Sequence, residues 1–121
     1  MFLVTSNTPK QLLHLSYFKR VKPEELRRGA DDVQSLMKDL KPGFRLLADF
    51  ERLESMDLAC ATEIGRIMEL LDQSGVGLLV RVMPDPGKDI GLDIISLFHY
   101  RNHPQTVTCK NIAEAFHRLA L

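Results

Sequence analysis

The sequence lacks surplus charge, a disulfide framework, a long apolar run and any internal linker, and each shortage excludes a class of function. Sixteen Lys and Arg are balanced by sixteen Asp and Glu, whereas a phosphate-binding surface needs an excess of cations. The basic residues Arg27, Arg28, Lys38 and Lys41 are interleaved with Glu24, Glu25, Asp31 and Asp32, the pattern of a solvated helix face. No nucleic-acid partner is expected. Cys60 and Cys109 are the two cysteines, too few and too far apart to staple a small secreted fold. Met1 to Ser6 is too short for an export segment and breaks at Asn7-Thr8-Pro9. No apolar run approaches the roughly 20 residues that cross a bilayer, so a cytoplasmic protein without a membrane partner is expected. No Ser/Gly/Pro-rich linker and no repeat interrupts the chain. Residues 1–121 are therefore read as a single domain, long enough to bury a hydrophobic core.

What is present is an alternation of strand and helix patterns. Phe2-Leu3-Val4-Thr5 reads as a short strand, and Leu12 to Val21 as a second with Leu13, Leu15 and Tyr17 on one face. Pro23, followed by Glu24 and Glu25, opens a helix. Its stripe is Leu26, Ala30, Val33, Met37 and Leu40, and Lys41-Pro42-Gly43 stops it. Phe44 to Phe50 is an apolar strand. A second helix is expected from about Asp57, with Leu58, Ala61, Ile64, Met68 and Leu71 buried and Gly75 closing it. Val76 to Met83 reads as a central strand covered on both faces. Pro84-Asp85-Pro86-Gly87 leads into a third helix with Ile90, Ile94, Leu97 and Phe98 inward. Thr106 to Cys109 is a last strand, and Asn111 with Glu114 caps a fourth helix that packs Ile112, Ala115, Phe116 and Leu119.

The order ββαβαβαβα implies an α/β fold. Its sheet should be mixed but largely parallel, of about five strands, with four helices. Binding sites in such sheets collect at the carboxyl ends of strands. Here those places are Phe50 to Asp57, Pro84 to Asp89, and Lys110-Asn111.

In the first of these, a strand ending in Leu46-Leu47-Ala48-Asp49 is followed by a short loop, and then Met56-Asp57 opens an amphipathic helix. This arrangement, with the element order around it, resembles the STAS domains of bacterial signal transduction, the anti-sigma factor antagonists and their relatives. The resemblance implies a STAS-like fold and a regulatory protein partner, kinase-like or anti-sigma-like, without enzymatic activity. It places the partner-binding surface at Glu54, Ser55, Met56, Asp57, Leu58, Ala59 and Cys60. In the antagonists that Asp is followed by two Ser and a Gly, and the second Ser accepts phosphate. Here Leu58, Ala59 and Cys60 follow, and Ala59 has no hydroxyl to modify. Ser55 is the nearest hydroxyl on the loop side, with nothing in the sequence to single it out. Cys60 takes the place of the Gly. A helix N-terminus lowers a thiol pKa, but a small inert core residue is the reading adopted.

Other segments carry weaker signals. Asp85, Gly87 and Lys88, together with Asp49, form an alternative site for an anion, nucleotide or other small molecule, beside the Asp57 helix. The full P-loop pattern is absent, because Val82 and Asp89 stand where it needs Gly and Ser or Thr. Acid/base chemistry at Asp49 and Asp57 is the remaining enzymatic alternative. His99 and His103 read as surface residues near a helix exit, and no metal site or cofactor is expected. Met37, Met68 and Met83 read as core filler, and Met56 as part of the contact surface.

Overall fold

The computed structural model describes residues 1–85 and 99–120. Its elements are β1 (Phe2–Asn7), β2 (Leu12–Val21), α1 (Pro23–Met37), β3 (Arg45–Met56), α2 (Cys60–Gln73), β4 (Leu78–Val82), β5 (Gln105–Cys109) and α3 (Ile112–Arg118). The five strands form one sheet in the order β1-β2-β3-β4-β5. β1 and β2 are an antiparallel hairpin, and every later neighbour is parallel. The mixed, largely parallel α/β sheet is the expected fold class. Three helices lie among the described residues. The helix expected through Ile90, Ile94, Leu97 and Phe98 falls outside them.

Strand alternation divides the core into two layers. Leu13, Leu15, Tyr17, Leu46, Ala48 and Leu79 face one side and meet Leu26 and Val33 of α1 and Ile64, Ile67 and Leu71 of α2. Leu12, Leu47, Val80, Val82 and Cys109 face the other side, against Ala115 and Leu119 of α3. β4 is thus covered on both faces, as its continuous apolar run required. Met37, Met68 and Met83 are buried, in the filler role expected of them.

Local chemistry sets the element ends. The Glu25 carboxylate accepts a hydrogen bond from the Lys22 N–H at 2.8 Å, closing the first turn of α1 around Pro23. The same bond holds the Glu25 carboxyl below its ordinary pKa. Asn111 caps α3 by accepting from the Glu114 N–H at 2.8 Å, and the Glu114 side chain returns to the Lys110 N–H at 3.0 Å. Gly75, at φ +84, ends α2 in a left-handed conformation. The Arg45 guanidinium donates to the carbonyls of Leu119 and Lys10, tying the end of α3 and the β1–β2 turn to the start of β3.

Two expectations fail here. Phe116 does not pack inward. It is 42% exposed, because the buried side of this seven-residue helix is filled by Ala115 and Leu119. β3 also does not stop at Phe50 but runs on to Met56, so the stretch read as a loop is strand.

Leu47 is fully buried between β3 and α3. Leu47→Ala should lower unfolding free energy by about 2–5 kcal/mol, read by urea denaturation. A loss well under 1 kcal/mol would place α3 elsewhere.

Candidate functional site

β4 ends at Val82, level with Asp49, while β3 continues with only β2 beside it among the described residues. Over this tail β3 carries two register irregularities against β2. Phe50 and Glu51 together oppose Tyr17, and Glu54 is the extra residue before Ser55 meets Arg20. Such bulges leave an amide without its ladder partner. At the first one, the Asp49 carboxylate accepts from the Glu51 N–H at 2.9 Å. Phe50 turns inward and stacks on Tyr17, with ring centroids 4.2 Å apart. Asp49 therefore shapes the strand, and its oxygen is engaged by backbone.

The tail delivers the chain to a turn at Asp57-Leu58-Ala59. The Cys60 N–H donates to the Asp57 carbonyl at 2.9 Å, and the Ala61 N–H to the Leu58 carbonyl at 3.1 Å. α2 begins at Cys60, not at Asp57 as expected. Asp57 does not cap the helix. Its carboxylate pairs instead with the Arg20 guanidinium of β2 at 3.1 Å. Ala59 holds the N-cap position without any side-chain cap bond.

Leu58, expected to be buried, is 96% exposed at the apex of this turn. Ala61 is exposed as well. The late start of α2 explains both, because the inward stripe begins with Cys60 and continues through Ile64, Met68 and Leu71. Met56, read as a contact residue, is half-buried against the core, since the last pairing of β3 sets it beside Val21. Glu54 and Ser55 are exposed on the bulged strand.

Cys60 is fully buried, and its thiol donates to the Val21 carbonyl at 3.5 Å. Burial, reinforced by the Asp57 carboxylate, pushes its pKa above the ordinary thiol value. This is the opposite of an activated cysteine and fits the inert core role.

The structure thus gathers Asp57, Leu58, Ala59 and Cys60 into one turn, with Met56 behind it. It adds Arg20 and Val21, which sequence reasoning missed. Only the extended β3 brings those β2 residues alongside, so a strand thought to end at Phe50 gave no signal for them. Asp85 is exposed beyond β4, and Gly87 and Lys88 lie outside the described residues. Also missed was Arg81, buried at 2% exposure in β4. Burial raises the phenol pKa values of both Tyr17 and Tyr100, and the charge of Arg81 opposes that rise.

Two further polar contacts lie away from the turn. On the α3 side of the sheet, Ser16 Oγ and His14 Nε2 are 3.1 Å apart. Burial depresses the His14 pKa while Asp49 pulls it upward. On α2, His99 Nδ1 meets Glu69 Oε1 at 2.7 Å. The His99 ring lies over Gly65, where any Cβ would stand 2.5 Å from Nε2. His99 therefore answers to a carboxylate on a neighbouring helix. Among the described residues no group of three or more His, Cys, Asp or Glu is placed to hold a metal. No helix of the described residues is long and apolar enough to cross a membrane.

Together the sheet order and the β3–α2 junction define a STAS-like fold. No protein-family model and no curated protein matches the chain in sequence. Solved structures match it in shape. Unphosphorylated SpoIIAA, an anti-sigma factor antagonist, superposes with a TM-score of 0.64 at 17% identity, covering 99% of this chain and 98% of its own. The phosphorylated form of the Bacillus cell fate determinant SpoIIAA gives 0.60 at 14% identity, over 98% and 99%. A DUF3478-family protein with a SpoIIAA-like fold from Shewanella loihica gives 0.72 at 11% identity, over 98% and 92%. The fold expected from Asp49 and Met56-Asp57 is the fold these structures share.

His14 gives a pH prediction. Its folded pKa lies below the unfolded value of about 6.5, so the unfolded chain binds the proton first. Stability should fall as pH drops from about 6.5 through the lower folded value. Urea unfolding at about pH 7.5 and about pH 5 should show a smaller acid loss in His14→Gln than in wild type. Equal losses would remove His14 as a source.

Proposed function

We propose that residues 1–121 form a non-catalytic regulatory module of bacterial, cytoplasmic signalling that binds another protein through Glu54–Cys60. The observation that carries this is the Asp57–Cys60 turn. Leu58 is almost wholly exposed, yet the backbone beneath it is held by the Cys60 and Ala61 amides and by buried Cys60. A large apolar side chain on a pinned turn gains contact area without ordering a loop. The Arg20–Asp57 pair is exposed on both sides. Such a pair contributes about 0–1 kcal/mol to stability, so its role is to orient the turn and present charge beside Leu58.

The likeness to SpoIIAA, described in both unphosphorylated and phosphorylated forms, supports a protein partner of the anti-sigma or kinase kind. Ala59 supports binding that is not switched at that position, because it offers no hydroxyl. The carboxylates of Asp49 and Asp57 are engaged by Glu51 N–H and by Arg20, which favours structural roles over acid/base catalysis.

A photo-crosslinking residue at position 58 should capture a defined protein from the native host, identified by mass spectrometry. The same residue at exposed Lys38, at the far end of α1, should not. Leu58→Asp and Asp57→Lys should each weaken the captured partner about tenfold or more, equivalent to about 1.4 kcal/mol, with melting temperature unchanged. Full-strength binding by both variants would refute this surface.

A further inference from the structure

β1 is an edge strand of the sheet, and among the described residues its outer side carries little of the protection that edges normally have. Natural edges are blunted by charge, proline, bulges or shortness. Phe2–Asn7 contains no charged residue and no proline. It pairs with β2 over all six residues without a register shift. The Phe18 N–H donates to the Met1 carbonyl at 2.8 Å. In an antiparallel ladder hydrogen-bonded pairs alternate, so Leu3, Thr5 and Asn7 direct their amides and carbonyls toward β2. Phe2, Val4 and Ser6 direct theirs outward, where no strand among the described residues meets them.

We propose that this edge joins a second copy of the chain, β1 against β1 in antiparallel register about a two-fold axis at Val4. That axis satisfies every outward group between Phe2 and Ser6. Val4 exchanges both bonds with the partner's Val4, and Phe2 exchanges both with the partner's Ser6, giving six interchain bonds in all. On the open side of the sheet it sets Leu3, 47% exposed, across from the partner's Thr5. A second copy is the fitting occupant for two reasons. The edge is self-complementary in its hydrogen-bonding pattern, and the one charge beside it, the Met1 ammonium ahead of Phe2, is turned to the β2 carbonyls of Phe18 and Arg20 and paired with Glu25. The chain also has zero formal net charge at pH 7, so copies meet without long-range repulsion. The surface is distinct from the Asp57–Cys60 turn, which lies on the β3–α2 junction.

The contact is a single pair of six-residue strands, so the dimer should be concentration-dependent. Sedimentation equilibrium over a concentration series should show apparent mass rising from monomer toward twice that value, and falling again on dilution. Hydrogen exchange should slow at the Val4 and Ser6 amides as concentration rises. Val4→Pro removes an outward N–H and no bond to β2, and it should leave the protein monomeric with an unchanged circular dichroism spectrum. Should that variant fail to fold, the double variant Leu3→Lys with Thr5→Lys places like charges across the same contact and should also abolish the dimer. A monomer at every concentration would overturn the proposal. So would a dimer that persists in folded Val4→Pro or in the lysine variant.

Discussion

The pairing of β2 with β3 beyond the end of β4 is the constraint on which the site depends. Had β3 ended level with Val82, residues 51–56 would be loop, and the start of α2 would be free to drift. Instead the ladder carries Ser55 to Arg20 and Met56 to Val21, which fixes where Asp57 begins its turn. Two bulges make this extension workable by accommodating two extra residues in β3. Asp49 closes the first by taking up the Glu51 amide, and the Tyr17–Phe50 stack fills the space beneath. Glu51 is exposed, so this bond contributes about the 0.5–1.5 kcal/mol of an ordinary hydrogen bond and acts mainly by fixing the shape of the bulge. Asp49 is thus a builder of the scaffold, two steps removed from whatever the turn contacts.

The turn itself is held mainly from below. Cys60 and the apolar stripe of α2 are buried in the main core layer, and that burial dominates the energetics. Arg20 and Asp57 add direction rather than stability, in keeping with an exposed pair. Further along α2, the nearly buried Glu63 meets Arg27 of α1 at 3.5 Å and Arg66 at 3.7 Å, which sets the two helices against each other. The elements that display Leu58 are therefore packed and paired on the core side, while Leu58 itself makes little use of the core. That division suits a contact residue, because substitutions there can change binding without disturbing the fold.

Much of this was legible in the residues. β2 was read to its observed ends, because Leu13, Leu15 and Tyr17 alternate cleanly and Val21 precedes a helix-opening proline. Asn111 and Glu114 gave the cap of α3, and the apolar run through Val80 gave a strand covered on both faces. The errors cluster at the site. Residues 51–55 are polar except for Leu53, with Glu51, Arg52, Glu54 and Ser55 around it, so they read as loop. They are strand because β2 pairs with them, a non-local fact that local polarity hides. The same oversight started α2 at Asp57 and buried Leu58. Arg20 could not be singled out from the other cations without the register that sets it beside Ser55.

Backbone amide hydrogen exchange across residues 50–60 tests the central claim most directly, because the display of Leu58 rests on the β3 tail being strand. Slow exchange at alternating amides between Arg52 and Met56, with Glu51 and Cys60 also protected, is expected, while the intervening β3 amides and the turn around Leu58 should exchange freely. Uniformly fast exchange from Glu51 to Ala59 would show a loop in place of the strand and would contradict the claim.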